Sequence, residues 1–290
     1  MSDTLIPVPD AWKKRAFIGA EKYDAWYLDS VADPNGFWAQ EGKKLDWIKP
    51  FTKVKNASFR LEDFRIKWFE DGTLNVSANC IDRHLALNAN RTAIVWEGDD
   101  PAQSRHITYA ELHREVCRFA NVLKANGVKK GDRVTVYLPM IPEVAYAMLA
   151  CARIGAIHSV VFGGFASHSL ATRIDDAAPK AIVSADAGSR GGKGVPYKPL
   201  LDEAISLAQH KPAAVLMVDR HLAPYTPVAG RDHDYASLRA KHLNAQVPCV
   251  WVEATHPSYT LYTSGTTGKP KGVQRDTGGY AVALAASMKH

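Results

Sequence analysis

Between residues 93 and 218 short apolar runs alternate with helical patterns, and few folds accept that order. The runs 93–96, 134–138, 157–161, 181–185 and 213–218 are strand-like, and most of them lack polar alternation. A strand that is apolar on both faces has to be covered on both faces. The helical stretches between the runs supply the covers. The pattern predicts an α/β fold with a largely parallel sheet flanked by helices.

The helices carry their own signals. Thr108 opens one with a capping box, because Glu111 stands three residues on and each side chain can satisfy the other's free backbone donor. Leu112, Val116, Phe119, Ala120 and Leu123 then recur on one face, and Gly127 suits the left-handed stop. Pro142 stands near the start of the next helix, whose predicted inner face is Ile141, Val144, Ala145, Met148, Leu149 and Ala152. Residues 79–88, 167–176 and 200–209 read as helices, the last with Leu201, Ala204, Ile205 and Ala208 inward. Residues 220–257 read as an irregular connection with one short helix at 235–241.

In open parallel sheets ligands collect at the carboxyl ends of strands. Three loops qualify. The first is Tyr262-Thr263-Ser264-Gly265-Thr266-Thr267-Gly268-Lys269-Pro270-Lys271-Gly272, read as a loop between a strand at 259–262 and a helix from Thr277. Glycines let backbone N–H groups turn toward a polyphosphate, and lysine adds a point charge. It is not a Walker A loop. The spacing is Gly265-x-x-Gly268-Lys269, and Pro270 stands where that motif needs a magnesium-binding hydroxyl. The second loop is Phe162-Gly163-Gly164-Phe165, where paired glycines admit close backbone approach to a ligand. The third is Ala185-Asp186-Ala187-Gly188-Ser189-Arg190-Gly191-Gly192-Lys193, whose two cations flank two glycines just beyond a strand. Arginine suits phosphate through its planar fork.

These three strings resemble loops of the acyl-adenylate-forming enzymes, and of the acetyl- and propionyl-CoA synthetases within them. The resemblance implies that Thr263, Ser264, Gly265, Thr266, Thr267, Gly268 and Lys269 hold the β- and γ-phosphates of ATP. It implies that Phe162, Gly163, Gly164, Arg190, Gly191, Gly192 and Lys193 contact coenzyme A, with Arg190 and Lys193 on its 3′-phosphate. Lys193 stands where many acetyl-CoA synthetases carry a second arginine, which keeps the charge and loses the fork. Strings such as Pro50-Phe51-Thr52-Lys53-Val54-Lys55-Asn56, up to about residue 160, are most similar to acetyl-CoA synthetases. From 161 to 290, strings such as Gly272-Val273-Gln274-Arg275-Asp276 are closer to propionyl-CoA synthetases.

The resemblance divides the chain into an N-terminal cap, 1–65, and the first part of a large AMP-binding domain, 66–290. The aromatic residues scattered through the cap read as anchors for an irregular layer. It further implies an incomplete acyl-adenylate-forming domain. The acyl pocket and the adenylation lysine would lie beyond His290, so no catalytic residue is assigned. The terminal helix, with Ala281, Leu284, Ala285 and Met288 inward, reads as cut in mid-course. The implied reaction joins acetate or propionate to coenzyme A, using ATP and Mg²⁺. The other reading is a non-catalytic fragment that binds nucleotide or coenzyme A weakly.

Composition narrows little beyond this. A net charge of +6 without a long Lys/Arg block argues against nucleic acid and is compatible with anionic small ligands. There is no apolar run long enough for a bilayer and no visible secretory signal, so a cytoplasmic protein without membrane partners is expected. The four cysteines are scattered and read as buried thiols, with no metal-ligand spacing. The histidines read as packed or surface residues.

Overall fold

The computed structural model describes residues 6–100, 102–164, 166–244, 246–263 and 270–289, with Arg190 described by its backbone. Its longest helix, α1 (Tyr109–Ala125), begins as the spacing predicts. The Thr108 hydroxyl accepts the Glu111 N–H at 3.2 Å, and the Glu111 carboxylate accepts the Thr108 N–H at 2.8 Å. All five predicted inward residues of α1 are buried.

The sheet has seven strands. They are β1 (Arg133–Tyr137), β2 (Ile157–Val160), β3 (Ala181–Ala185), β4 (Ala214–Val218), β5 (Asp232–Asp234), β6 (Pro257–Thr263) and β7 (Lys271–Asp276). Their order is β5-β4-β3-β1-β2-β6-β7, and every pair is parallel except the β6–β7 hairpin at the edge. The chain leaves β1 to one side to form β2 and returns on the other side as β3. That reversal between β1 and β3 is a topological switch point.

Alternate residues of each strand serve the two faces. Val134, Val136, Val183 and Leu216 join one core with α1 and α2 (Pro142–Ile154). Tyr137, Ile182, Val215 and Met217 join the other with α3 (Ser167–Ala177) and α4 (Lys198–Leu207). Both faces of the central strands are therefore dry, as their unalternating sequences require.

Several expectations change. The strand predicted at 93–96 lies outside this sheet, as Thr92–Glu97 paired antiparallel with Ser104–Thr108. The chain does not pass from the hydroxyl-rich loop into a helix; β7 intervenes, and α6 (Gly278–Lys289) follows it, α5 being the short helix Tyr235–Ala240. β7 is a polar edge strand, Lys-Gly-Val-Gln-Arg-Asp, and such a strand has no inward stripe to announce it. β5 hides in the irregular connection for the same reason. The buried face of α2 is centred on Tyr146, Ala147, Ala150, Cys151 and Ile154, with Val144 and Leu149 at its margin and Ala145, Met148 and Ala152 half-buried. This helix is wedged between sheet and α1, so apolar residues surround it and periodicity points nowhere. On α6, Leu284 and Met288 are exposed, and Gly278 and Val282 are buried.

The N-terminal region holds three helices, Asp10–Arg15, Ala20–Ala32 and Pro34–Gly42, rather than an irregular layer. Part of its aromatic set anchors it, whereas Trp12, Tyr23 and Tyr27 are exposed. Trp38, Trp47, Phe51 and Trp68 gather around buried Phe69, and this cluster meets Ala254 and Val282. The predicted 79–88 helix is a π-turn, Ala78–Asp82, running into an α-helix, Arg83–Asn88. All four cysteines are free; Cys117 and Cys151 are buried, whereas Cys80 is exposed.

Candidate nucleotide and coenzyme site

Because β3, β1, β2 and β6 run parallel, their exits lie on one edge of the sheet. The turn at 162–164 leaves β2, the stretch at 186–196 leaves β3, and the loop after Thr263 leaves β6. At about 4.8 Å per strand the first two exits stand about 10 Å apart, with the end of β1 between them. The β6 exit adjoins that of β2.

The hydroxyl-rich string joins β6 to β7 in sequence. Thr263 pairs with Lys271, the last rung among the described residues. Ser264, Gly265, Thr266, Thr267, Gly268 and Lys269 lie outside the described residues, as does Phe165. The stem is tied down one rung below. Tyr262 donates its hydroxyl to Asp176 at 2.6 Å, and the Arg173 guanidinium lies 5.3 Å from the Tyr262 ring. Burial, and then the Asp176 acceptor, push the Tyr262 phenol well above its ordinary range.

The stretch after β3 is a β-hairpin, Ala187–Arg190 against Lys193–Pro196. Its two-residue turn is Gly191-Gly192, with φ of +57° and +75°, the left-handed pair that a type I′ turn demands. The register sets Lys193 opposite Arg190. The two positions named for phosphate contact thus flank one tight turn, and Lys193 is exposed. The base of the hairpin is fixed by buried Asp186. Its carboxylate accepts N–H groups from Arg220, Leu222 and Ala223 at 2.9, 2.7 and 3.1 Å. Burial would raise the Asp186 pKa, but these backbone donors hold it below the usual carboxylate value. Arg220 returns one guanidinium hydrogen bond to the Ala187 carbonyl at 3.1 Å.

The 162–164 turn exposes Phe162, 62 % of whose surface is accessible, and buries Gly163. Below it are two residues that sequence reasoning passed over, Tyr137 and Tyr197. Their rings lie 5.0 Å apart, and Tyr137 donates to the Gly163 carbonyl at 3.4 Å. A Cβ on Gly163 would stand 2.0 Å from the Tyr197 hydroxyl oxygen, and one on Gly188 would stand 2.6 Å from it. Tyr197 lies outside every motif, and no local signal marked it. Clefts of about 430 Å³ beside Lys53 and Glu70 and about 240 Å³ beside Trp38 and Tyr280 lie among cap residues and the far end of the β6–β7 hairpin, not at these exits.

Among the described residues no three His, Cys, Asp or Glu side chains are grouped to hold a metal ion. Among the described residues the edge carries the 162–164 turn, the Gly191-Gly192 turn with exposed Lys193, and Thr263 at the end of β6. That edge suits a ligand with phosphates and an aromatic ring.

The family model of AMP-binding enzymes matches residues 81–290, and that of the acetyl-coenzyme A synthetase N-terminus matches residues 23–80. The chain is 56% identical over 290 residues to an acetyl-coenzyme A synthetase of Parvibaculum lavamentivorans. It is 55% identical over 295 residues to one of Methylorubrum extorquens, and 54% identical over 290 residues to one of Bradyrhizobium diazoefficiens. Each comparison covers 100% of this chain and 44% of the relative. The chain therefore spans less than half the length of these relatives. No helix among its described residues is long and apolar enough to cross a membrane.

Proposed function

The chain belongs to the AMP-binding enzyme family, and from that premise we propose that it is the nucleotide- and coenzyme A-binding part of an AMP-forming short-chain acyl-CoA synthetase. The observation that carries this reading is the convergence of three strand exits, each with its own glycine-bearing loop, on one edge of a parallel sheet. In the whole enzyme a carboxylate oxygen attacks the α-phosphorus of ATP and pyrophosphate leaves. The thiol of coenzyme A then attacks the acyl carbon, and AMP leaves. Neither step needs a protein nucleophile. The protein positions the reactants and neutralises charge.

Thr263 to Lys269 would hold the β- and γ-phosphates, and Mg²⁺ would enter on those phosphates rather than on a protein cluster. Phe162, Gly163 and Gly164 would border the adenine of coenzyme A, and Arg190 to Lys193 its 3′-phosphate. Exposed Phe162 and a backbone too tightly packed for any side chain at Gly163 suit a flat ring laid against the turn. The acetyl name borne by the relatives along the whole chain favours acetate over propionate. The cap and the AMP-binding part are read as dividing near residue 65, and the protein as working in the cytoplasm. By themselves these 290 residues are read as binding both ligands without turnover.

Calorimetric titration of the chain tests this reading. ATP with Mg²⁺ and coenzyme A should each bind. Lys269→Ala should weaken only ATP, and Lys193→Ala only coenzyme A, each by about tenfold, the worth of one charge-assisted contact. Binding of neither ligand by the parent chain contradicts the proposal. So does an equal loss of both ligands in either variant.

A further inference from the structure

The two loops assigned to coenzyme A come from different strands, with β1 between them, and nothing in their own sequences fixes their separation. We infer that Tyr197 is the positioning residue of this site, a spacer that holds the 162–164 turn and the 187–196 hairpin at one distance. The inference rests on the ligand reading above.

Tyr197 follows the hairpin and precedes α4. Its N–H donates to the Asp186 carbonyl at 2.9 Å, so its backbone closes the hairpin base. Its side chain is 7 % exposed and lies against Tyr137, the last residue of β1. The pair fills the crevice at the switch point, where an open α/β sheet would otherwise admit a ligand. The phenol then touches two backbones that share no strand. Measured from the side chain each glycine lacks, its oxygen is 2.0 Å from Gly163 and 2.6 Å from Gly188. Only glycine allows approach of that kind. Neither loop can move toward the other without meeting the ring, and neither can move away without opening a void beside it.

The consequence falls on the ligand. A purine on the turn and a phosphate on the hairpin are held at a set reach, so the spacer acts on a molecule that touches both loops. A ligand that touches one loop is indifferent to it. Adenosine 3′,5′-bisphosphate is the probe for the first kind, and inorganic phosphate for the second.

Two measurements on the 290-residue chain test this. In the first, Tyr197→Ala weakens adenosine 3′,5′-bisphosphate about tenfold and Tyr197→Phe about threefold, while inorganic phosphate changes less than twofold. Gly163→Ala weakens the bisphosphate in the parent and no further in the Tyr197→Ala background, because the obstruction is gone. In the second, hydrogen–deuterium exchange of the unliganded variants quickens in both 160–164 and 187–196. Bisphosphate affinity unchanged in Tyr197→Ala, or faster exchange confined to 187–196, overturns the spacer. Should Tyr197→Ala fail to fold, Tyr197→Phe decides by the same two readings. A parent chain that binds no bisphosphate overturns the ligand assignment, and the exchange pattern then decides the spacer by itself.

Discussion

Two buried polar residues show how single side chains set this molecule's tolerances. His158, on β2, is 7 % exposed, stacks on Tyr259 with ring centroids 5.5 Å apart, and has no hydrogen-bond partner at Nδ1. Burial pushes its pKa down to about 4. The unfolded chain takes up this proton near pH 6.5 and the folded one does not, so the fold is fully favoured above pH 6.5 and loses stability as pH falls toward 4. The loss is about 1.4 kcal/mol per pH unit. Urea unfolding at pH 7 and pH 5 should therefore show a smaller acid loss in His158→Phe than in the parent, by about 2 kcal/mol. Equal losses would remove His158 from the account. Arg153, on α2, is 3 % exposed; it grips both Asp82 oxygens at 2.8 and 2.9 Å and donates to the Val247 carbonyl. One guanidinium thus joins α2, the π-turn and the connection before β6. Arg153→Ala should lower unfolding free energy by about 2 kcal/mol, since it removes the bidentate contact to half-buried Asp82 and strands the buried Val247 carbonyl. A loss below about 1 kcal/mol would mean that water replaces the guanidinium. Neither residue could be placed from sequence. A histidine in a strand and an arginine in a helix look alike whether they face solvent or core, and only the partners across the fold decide.

Elements were legible where one face is wet and one dry. The inner face of α1, its capping box, and the inward residues of α4 were all readable, because their polar sides give the periodicity contrast. α2 resisted because it is covered on nearly every side, and β5 and β7 because edge strands carry polar residues that keep them from pairing further. The glycine pair at 191–192 was legible as part of a loop, and only the register Lys193 opposite Arg190 made it the turn of a hairpin that brings both positions together. The capping box offers the cleanest test at this scale. Thr108→Ala should cost about 1 kcal/mol in thermal or urea unfolding, and Thr108→Ser close to nothing. An equal cost for both would assign the effect to β-branching at the end of the Ser104–Thr108 strand rather than to the cap.

For the molecule as a whole, the order β5-β4-β3-β1-β2-β6-β7 matters most for the proposed function, because it brings the exits of three strands to one edge. Alternating runs told of a parallel sheet but not of its order. Strand order depends on which faces the crossovers take, and local patterning is silent on that. The proposed site was legible only as separate strings, and the tyrosine pair between two of them was not legible at all. The proposal for the whole molecule then turns on where a nucleotide's phosphates sit. A crystal structure of this chain with ATP and Mg²⁺ addresses that directly. The account predicts β- and γ-phosphates at the tip of the β6–β7 hairpin, between Thr263 and Lys271. Phosphates bound at another part of the surface, with that tip making no contact to them, would contradict it.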